Sequence, residues 1–317
     1  MKPHGDIAVQ QAQLIVTSTF LMLLIIVPVI ALTLFFAYRY RQSNAAAAYT
    51  PDWDHSTRLE LVIWGAPLLI IIALGALTWI STHKLDPYRP LDRIDAQRAV
   101  AAADKPLVVQ VVALDWKWLF LYPEQGIATV NELAAPVDRP IEFRITASNV
   151  MNSFYVPELA GQVYAMPGME TKLHAVINHA GDYDGFSANY SGAGFSDMRF
   201  KFIGMSNADF GAWVEANRNT RAKLTRDAYL QLEQPSRREP VRRYAAVDTG
   251  LYDLIVNRCV DGHKMCASEM MSIDAAGGMG KGNVAGLTQQ KWGPAQRNVV
   301  AALCTPNNPT GAPVATR

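Results

Sequence analysis

The sequence predicts an α+β membrane protein: an N-terminal two-helix transmembrane hairpin, then an antiparallel β-sandwich, then a short helical C-terminal extension. Three observations predict it. Residues 14–38 and 61–80 are runs of 25 and 20 residues without a charge. As helices they reach roughly 37 and 30 Å, enough to cross a hydrocarbon core of about 30 Å. Between residues 107 and 205, apolar and polar side chains alternate with the period of a strand, and after residue 206 the period becomes helical.

Residues 1–85 hold the hairpin, with helices expected over about 14–38 and 59–81. Pro28 and Pro67 interrupt the runs, which membrane helices tolerate better than soluble ones. The first run is too long for a cleaved signal, and MKPHGDIAVQQ before it is not a basic leader. Tyr38, Tyr40, Trp53 and Trp79 fit interfacial anchoring. Arg39, Arg41 and Arg58 between the helices lean that loop toward the cytoplasm, but Lys2, Lys84, Arg89 and Arg93 on the outer flanks balance the count.

A charged, Pro- and Ala-rich linker follows over 86–105, then the sandwich over 106–206. Its strands are marked by Val109, Val111 and Ala113, by Ile141, Phe143 and Ile145, by Leu173, Ala175 and Ile177, and by Met198, Phe200 and Phe202. In the extension, 207–271, Phe210, Trp213 and Val214 fall at helical spacing, as do Leu251, Leu254, Ile255 and Cys259. The segment 272–317 is rich in Gly, Ala, Pro and Asn and reads as a flexible tail.

The formal charge of +1, from 29 basic and 28 acidic residues, argues against a nucleic-acid role. The three cysteines, Cys259, Cys266 and Cys304, allow one disulfide with a thiol left over, and the pairing stays open.

The segment 187–198, SANYSGAGFSDM, carries the spacing of a dinuclear copper loop with almost none of its donors. Thiolates, an imidazole and a thioether are needed at positions that hold Ser187, Ser191, Phe195 and Met198. A hydroxyl is a hard, protonated donor and a phenyl ring has no lone pair, whereas copper favours thiolate and imidazole. The segment reads as a scaffold without its metal.

This layout resembles subunit II of the haem–copper oxidases. The stretch Asn152-Ser153-Phe154-Tyr155-Val156-Pro157 resembles the place where the cytochrome c oxidase branch puts its first histidine ligand, here Asn152. Ser187, Asn189, Ser191, Phe195 and Met198 stand where that branch has Cys, Glu, Cys, His and Met, so only Met198 of six ligand positions survives. That pattern resembles the quinol branch, subunit II of the cytochrome bo-type ubiquinol oxidases. Supporting stretches are Asp115-Trp116-Lys117-Trp118, the run 122–132, Val150-Met151-Asn152-Ser153-Phe154, Tyr183-Asp184-Gly185 and an aromatic-bearing segment over about 229–259. The likeness covers roughly residues 5–265 and fails over the tail. Many family members begin with a signal bearing a lipid-modified cysteine. None precedes the first apolar run here, as expected of a mature or trimmed form.

The resemblance implies a cupredoxin-like sandwich without copper, no cofactor in this chain, and haems, copper and the quinol site in a partner subunit I. It implies ubiquinol as substrate of the complex, other oxidase subunits and membrane lipid as partners, and a bacterial inner-membrane location with the sandwich on the periplasmic side. Subunit II would brace a proton-pumping subunit I and carry no catalytic residue of its own. The resemblance also singles out Glu60, in Leu59-Glu60 followed by Trp64 and Pro67, as the mouth of a proton-uptake path. From the residues alone, Thr57-x-x-Glu60 reads as a capping box at a helix N-terminus.

Other candidates read as structural. Trp116 and Trp118 are expected on one strand face, in the core or at a subunit interface. His263, Met265, Cys266, Met270 and Met271 are soft donors that could hold Cu(I) but suit a mobile segment better. His174 and His179 read as surface residues. Two rival functions are a true copper electron-transfer subunit, which needs thiolates at 187 and 191, and a membrane-anchored extracytoplasmic β-sandwich serving as a binding or sensory module.

Overall fold

The computed structural model describes residues 2–48, 50, 52–101 and 105–275. Two long helices, α1 (Asp6–Arg39) and α2 (Thr57–Lys84), run through the apolar segments with their side chains facing outward. Both exceed the expected bounds. The first two turns of α1, DIAVQQAQ, are too polar for lipid but meet the sandwich.

The strands follow in chain order: β1 (Leu107–Leu114), β2 (Lys117–Tyr122), β3 (Ile127–Val130), β4 (Glu132–Pro136), β5 (Ile141–Ala147), β6 (Asn152–Tyr155), β7 (Val163–Ala165), β8 (Thr171–Ala175), β9 (Gly181–Ser187) and β10 (Arg199–Met205). After them come α3 (Asn207–Arg218), β11 (Lys223–Leu224), α4 (Arg226–Glu233), β12 (Arg242–Tyr244), β13 (Ala246–Val247), α5 (Leu251–Val256) and α6 (Ala267–Ile273). One sheet has the order β12-β3-β2-β1-β5-β8 and the other β4-β10-β9-β6-β7, giving the cupredoxin-like sandwich. Most neighbours are antiparallel, as expected, but β1 with β5 and β4 with β10 run parallel. Between β1 and β5 the chain passes through β4 in the opposite sheet, so β5 returns beside β1 in the same direction.

The strand pattern divides two cores. Trp118, Phe120 and Tyr122 of β2 point between the sheets with Phe143, Phe154 and Phe200. Leu119 and Leu121 point the other way, under Leu224, Tyr229, Leu232, Tyr244 and Tyr252 of the extension. A buried aromatic covers about 150–250 Å², worth roughly 4–6 kcal/mol of burial as an upper bound. Three tyrosines therefore hold the extension firmly on the sheet. Ser206 and Thr225 cap α3 and α4, each accepting from a backbone N–H three residues on. Lys117 is buried where the extension crosses β2, its Nζ donating to Gln234 O at 2.8 Å and Ser236 Oγ at 2.6 Å. Burial holds this ammonium below the ordinary lysine range, against the charge of Glu239.

Cys259 and Cys266 form a disulfide after α5, which settles the open pairing; Cys304 lies outside the described residues. Cys266 is therefore lost to the soft-donor set around His263, Met265, Met270 and Met271. The expected tail begins inside α6, and its part from 276 onward lies outside the described residues.

The start of α1 is fastened to the sandwich. His4 N and Gly5 N both donate to Glu158 O, at 3.0 and 2.9 Å, and Gly5 pairs with Ile177. A Cβ on Gly5 would stand 2.5 Å from Val176 O and 2.7 Å from Leu159 O, so only glycine fits. Asp6 receives both forks of Arg93 at 2.9 and 3.0 Å.

Candidate functional site

The six positions that the resemblance matches to copper ligands lie on β6, at the end of β9 and in the connection that follows it. β6 supplies Asn152, β9 ends at Ser187, and the connection 188–198 carries the rest through a single 3₁₀ turn, Phe195–Asp197. Ser187 Oγ donates to Asn152 Oδ1 at 3.1 Å and lies 3.2 Å from Asn189 O. Ser153 N donates to the same hydroxyl at 3.4 Å, and Asn152 Nδ2 donates to Val150 O at 3.1 Å. Asn189 Nδ2 donates to Met151 O at 3.2 Å. Asn152, Ser187 and Asn189 are thus brought together, and their polar atoms hydrogen-bond to one another and to the backbone.

The other three positions are held elsewhere. Ser191 is fixed through its carbonyl, which accepts from Trp116 Nε1 at 2.9 Å. The Phe195 ring packs against Tyr190 at 5.7 Å between centroids. Met198 is 1% exposed and sits in the inter-sheet core. The donors do not fit a dinuclear copper centre, which needs two soft anionic ligands bridging the metals. Among the described residues, no three His, Cys, Asp or Glu side chains gather as a metal site would require.

Trp116 is the residue sequence reasoning misplaced. It does not share a strand face with Trp118; it lies in the turn between β1 and β2, half-buried and packed against the core that encloses Trp118. Its indole lies flat against the loop. A Cβ on Gly194 would stand 2.3 Å from the ring and one on Gly192 3.2 Å. The two glycines in SGAG are the signal that could have revealed this plate. The Arg237 guanidinium covers the ring at 5.7 Å.

Glu60 lies at the other end of the molecule. α1 begins and α2 ends at the sandwich, so the α1–α2 connection and Glu60 are at the far end of the helix pair. The capping box does not form. Thr57 is the first helical residue and Ser56 the N-cap, without a side-chain bond, so Glu60 is one position too late. Its Oε1 instead meets His55 Nδ1 at 2.7 Å, and His55 Nε2 lies 3.1 Å from Thr57 Oγ1. His174 also differs from expectation. It is half-buried beneath the linker, and burial lowers its pKa below the ordinary 6.5, against the charge of Glu142. His179 is exposed, as read.

Comparison with known proteins decides the family. Residues 124–203 match the family described as "Cytochrome C oxidase subunit II, periplasmic domain", and 218–263 match "COX Aromatic Rich Motif". The chain is 51% identical over 258 residues to the cytochrome bo(3) ubiquinol oxidase subunit 2 of Pseudomonas putida, covering 81% of this chain and 79% of that one. The chain belongs to the ubiquinol oxidase subunit 2 family. It is also 48% identical over 265 residues to the ubiquinol oxidase subunit 2 of Acetobacter aceti, covering 84% of each. A crystal structure of the periplasmic domain of subunit II of cytochrome oxidase from Bradyrhizobium japonicum is 21% identical, with a TM-score of 0.34, over 35% of this chain and 91% of that one. As a ubiquinol oxidase subunit 2, the chain carries the aromatic-rich extension as the layer over the outer face of the six-stranded sheet.

Proposed function

We propose that this chain is the non-redox subunit II of a proton-pumping ubiquinol:oxygen oxidoreductase in the bacterial inner membrane. Its sandwich lies on the periplasmic side and braces subunit I, which holds the haems, the copper and the quinol site. The observation that carries this reading is the set of neutral hydrogen bonds that Asn152, Ser187 and Asn189 make with one another and with backbone carbonyls. Neither hydroxyl nor amide in that set can supply the soft anionic ligand an electron port needs. A water-soluble electron donor would need such a port outside the membrane. Ubiquinol dissolves in the bilayer and reaches a membrane-embedded partner without one.

Glu60 serves, in this proposal, the entrance of a proton path into subunit I. It lies at the membrane end opposite the sandwich, the side from which a pump takes up protons. The His55 ring bonded to it offers a second titratable group on an exposed surface.

The test is mild-detergent purification of the tagged chain. A haem protein should co-purify and take up oxygen with ubiquinol as donor. Electrons entering through a redox centre in this chain would overturn the proposal.

A further inference from the structure

A cavity of about 80 Å³ lies where the two helices meet the sandwich. One water needs about 10–15 Å³ on the same measure, so the space suits a polar headgroup and not an acyl chain. Its walls come from the first turns of α1, the segment after α2, the 161–163 turn and β8.

Three cations, Lys84, Arg89 and Arg93, and three carboxylates, Asp6, Asp86 and Asp92, line it. Two of the opposed pairs are already matched. Arg93 forks onto the buried Asp6, and Arg89 meets Asp92 at 3.0 Å. Lys84 has no ion-pair or hydrogen-bond partner for its ammonium among the described residues, and Asp86 accepts only from its near neighbour Tyr88 N, at 2.9 Å. Arg93 also has guanidinium N–H groups left over after binding Asp6. Among the described residues, the cavity therefore offers one cation and one carboxylate that no opposite charge matches.

Its position limits what can reach it. Gln11 lines the cavity, and the charge-free run begins at Leu14, about 4.5 Å further along the helix. Lys84 is five residues beyond Trp79, an exposed indole suited to the headgroup level. Along α1 the opening is thus within one helical turn of the charge-free run, and along α2 about 7.5 Å beyond the headgroup-level indole.

We propose that this cavity seats the headgroup of a zwitterionic phospholipid, its phosphate on Lys84 and Arg93 and its ammonium on Asp86. The acyl chains would then run down the outward apolar faces of α1 and α2. The site is independent of the electron path.

Hydrogen-exchange mass spectrometry on the full-length chain in lipid-free detergent tests this. Dihexanoylphosphatidylethanolamine should protect residues 84–93 saturably. Lys84→Ala with Asp86→Asn should raise the half-saturating concentration at least tenfold, with the thermal transition unchanged because both side chains are exposed. Dihexanoylphosphatidylglycerol should protect less, having no ammonium for Asp86. Equal protection by inorganic phosphate or phosphoethanolamine would make this a free-phosphate site and overturn the lipid assignment. No protection, no preference between the two lipids, or an undiminished response in the double variant would overturn it as well.

Discussion

Glu132 is 11% exposed in its side chain and joins the sandwich to the aromatic-rich extension. Arg243 of β12 forks onto it, Nε to Oε1 and Nη2 to Oε2 both at 3.0 Å, while Trp213 Nε1 donates at 3.0 Å. Arg243→Met keeps the apolar stem and removes the charge. The carboxylate is then left with one indole donor. Breaking a buried pair from one side costs about 3–5 kcal/mol. Arg243 is itself 39% exposed, so water partly replaces it and about 2–3 kcal/mol is expected. At about 2–4 °C per kcal/mol for a unit of this size, the near-ultraviolet circular-dichroism melt in detergent should fall by about 5–10 °C. Glu132→Gln added to Arg243→Met should recover most of that, because a neutral amide still accepts from Trp213. A single variant within 1 °C of the parent on the order-of-magnitude scale above, or a double variant no more stable than the single, would refute the reasoning.

Three further outcomes are expected. Asn152→His, Ser187→Cys, Asn189→Glu, Ser191→Cys and Phe195→His together should give the full chain a purple dinuclear-copper absorption, because the loop keeps its ligand spacing; a folded variant that takes up no copper by metal analysis would show that the loop path has diverged too. Glu60→Gln should slow ubiquinol-driven oxygen uptake while leaving assembly intact, and unchanged turnover would remove the proton-entrance role. His174 has a lowered folded-state pKa, so the unfolded chain binds its proton first as pH falls. Stability should therefore drop below about pH 6.5, and His174→Gln should flatten that slope in melts across the acid range; an unchanged slope would mean that carboxylates such as Glu142 set it instead.

The membrane helices and the alternating strands were legible because one face of each meets a uniform surroundings. β2, Lys117–Tyr122, is buried along its whole length, so KWLFLY shows no polar face to count. Lys117 at its head is polar yet buried, since its partners lie in a segment more than a hundred residues away. β7 has three residues and β6 four, too short for periodicity to register. The parallel pairing of β1 with β5 is a matter of chain routing, which local pattern does not carry. At the candidate site, spacing pointed to Ser187, Ser191, Phe195 and Met198, whereas Asn152 and Asn189 came only from the family resemblance. The contact of Trp116 with that loop was not legible, because a tryptophan between two strands reads as part of a strand face until the glycines opposite it are placed.

The double grip on Gly5 and Asp6 makes the outer domain something other than a bead on a string. Because α1 starts from a stretch bonded to the sandwich and α2 ends beside it, the sandwich has two stiff legs instead of a leash. It cannot swivel or lift without tilting both membrane rods. Whatever surface a neighbouring oxidase subunit presents is met at a fixed height and heading, so assembly becomes a question of rigid fit.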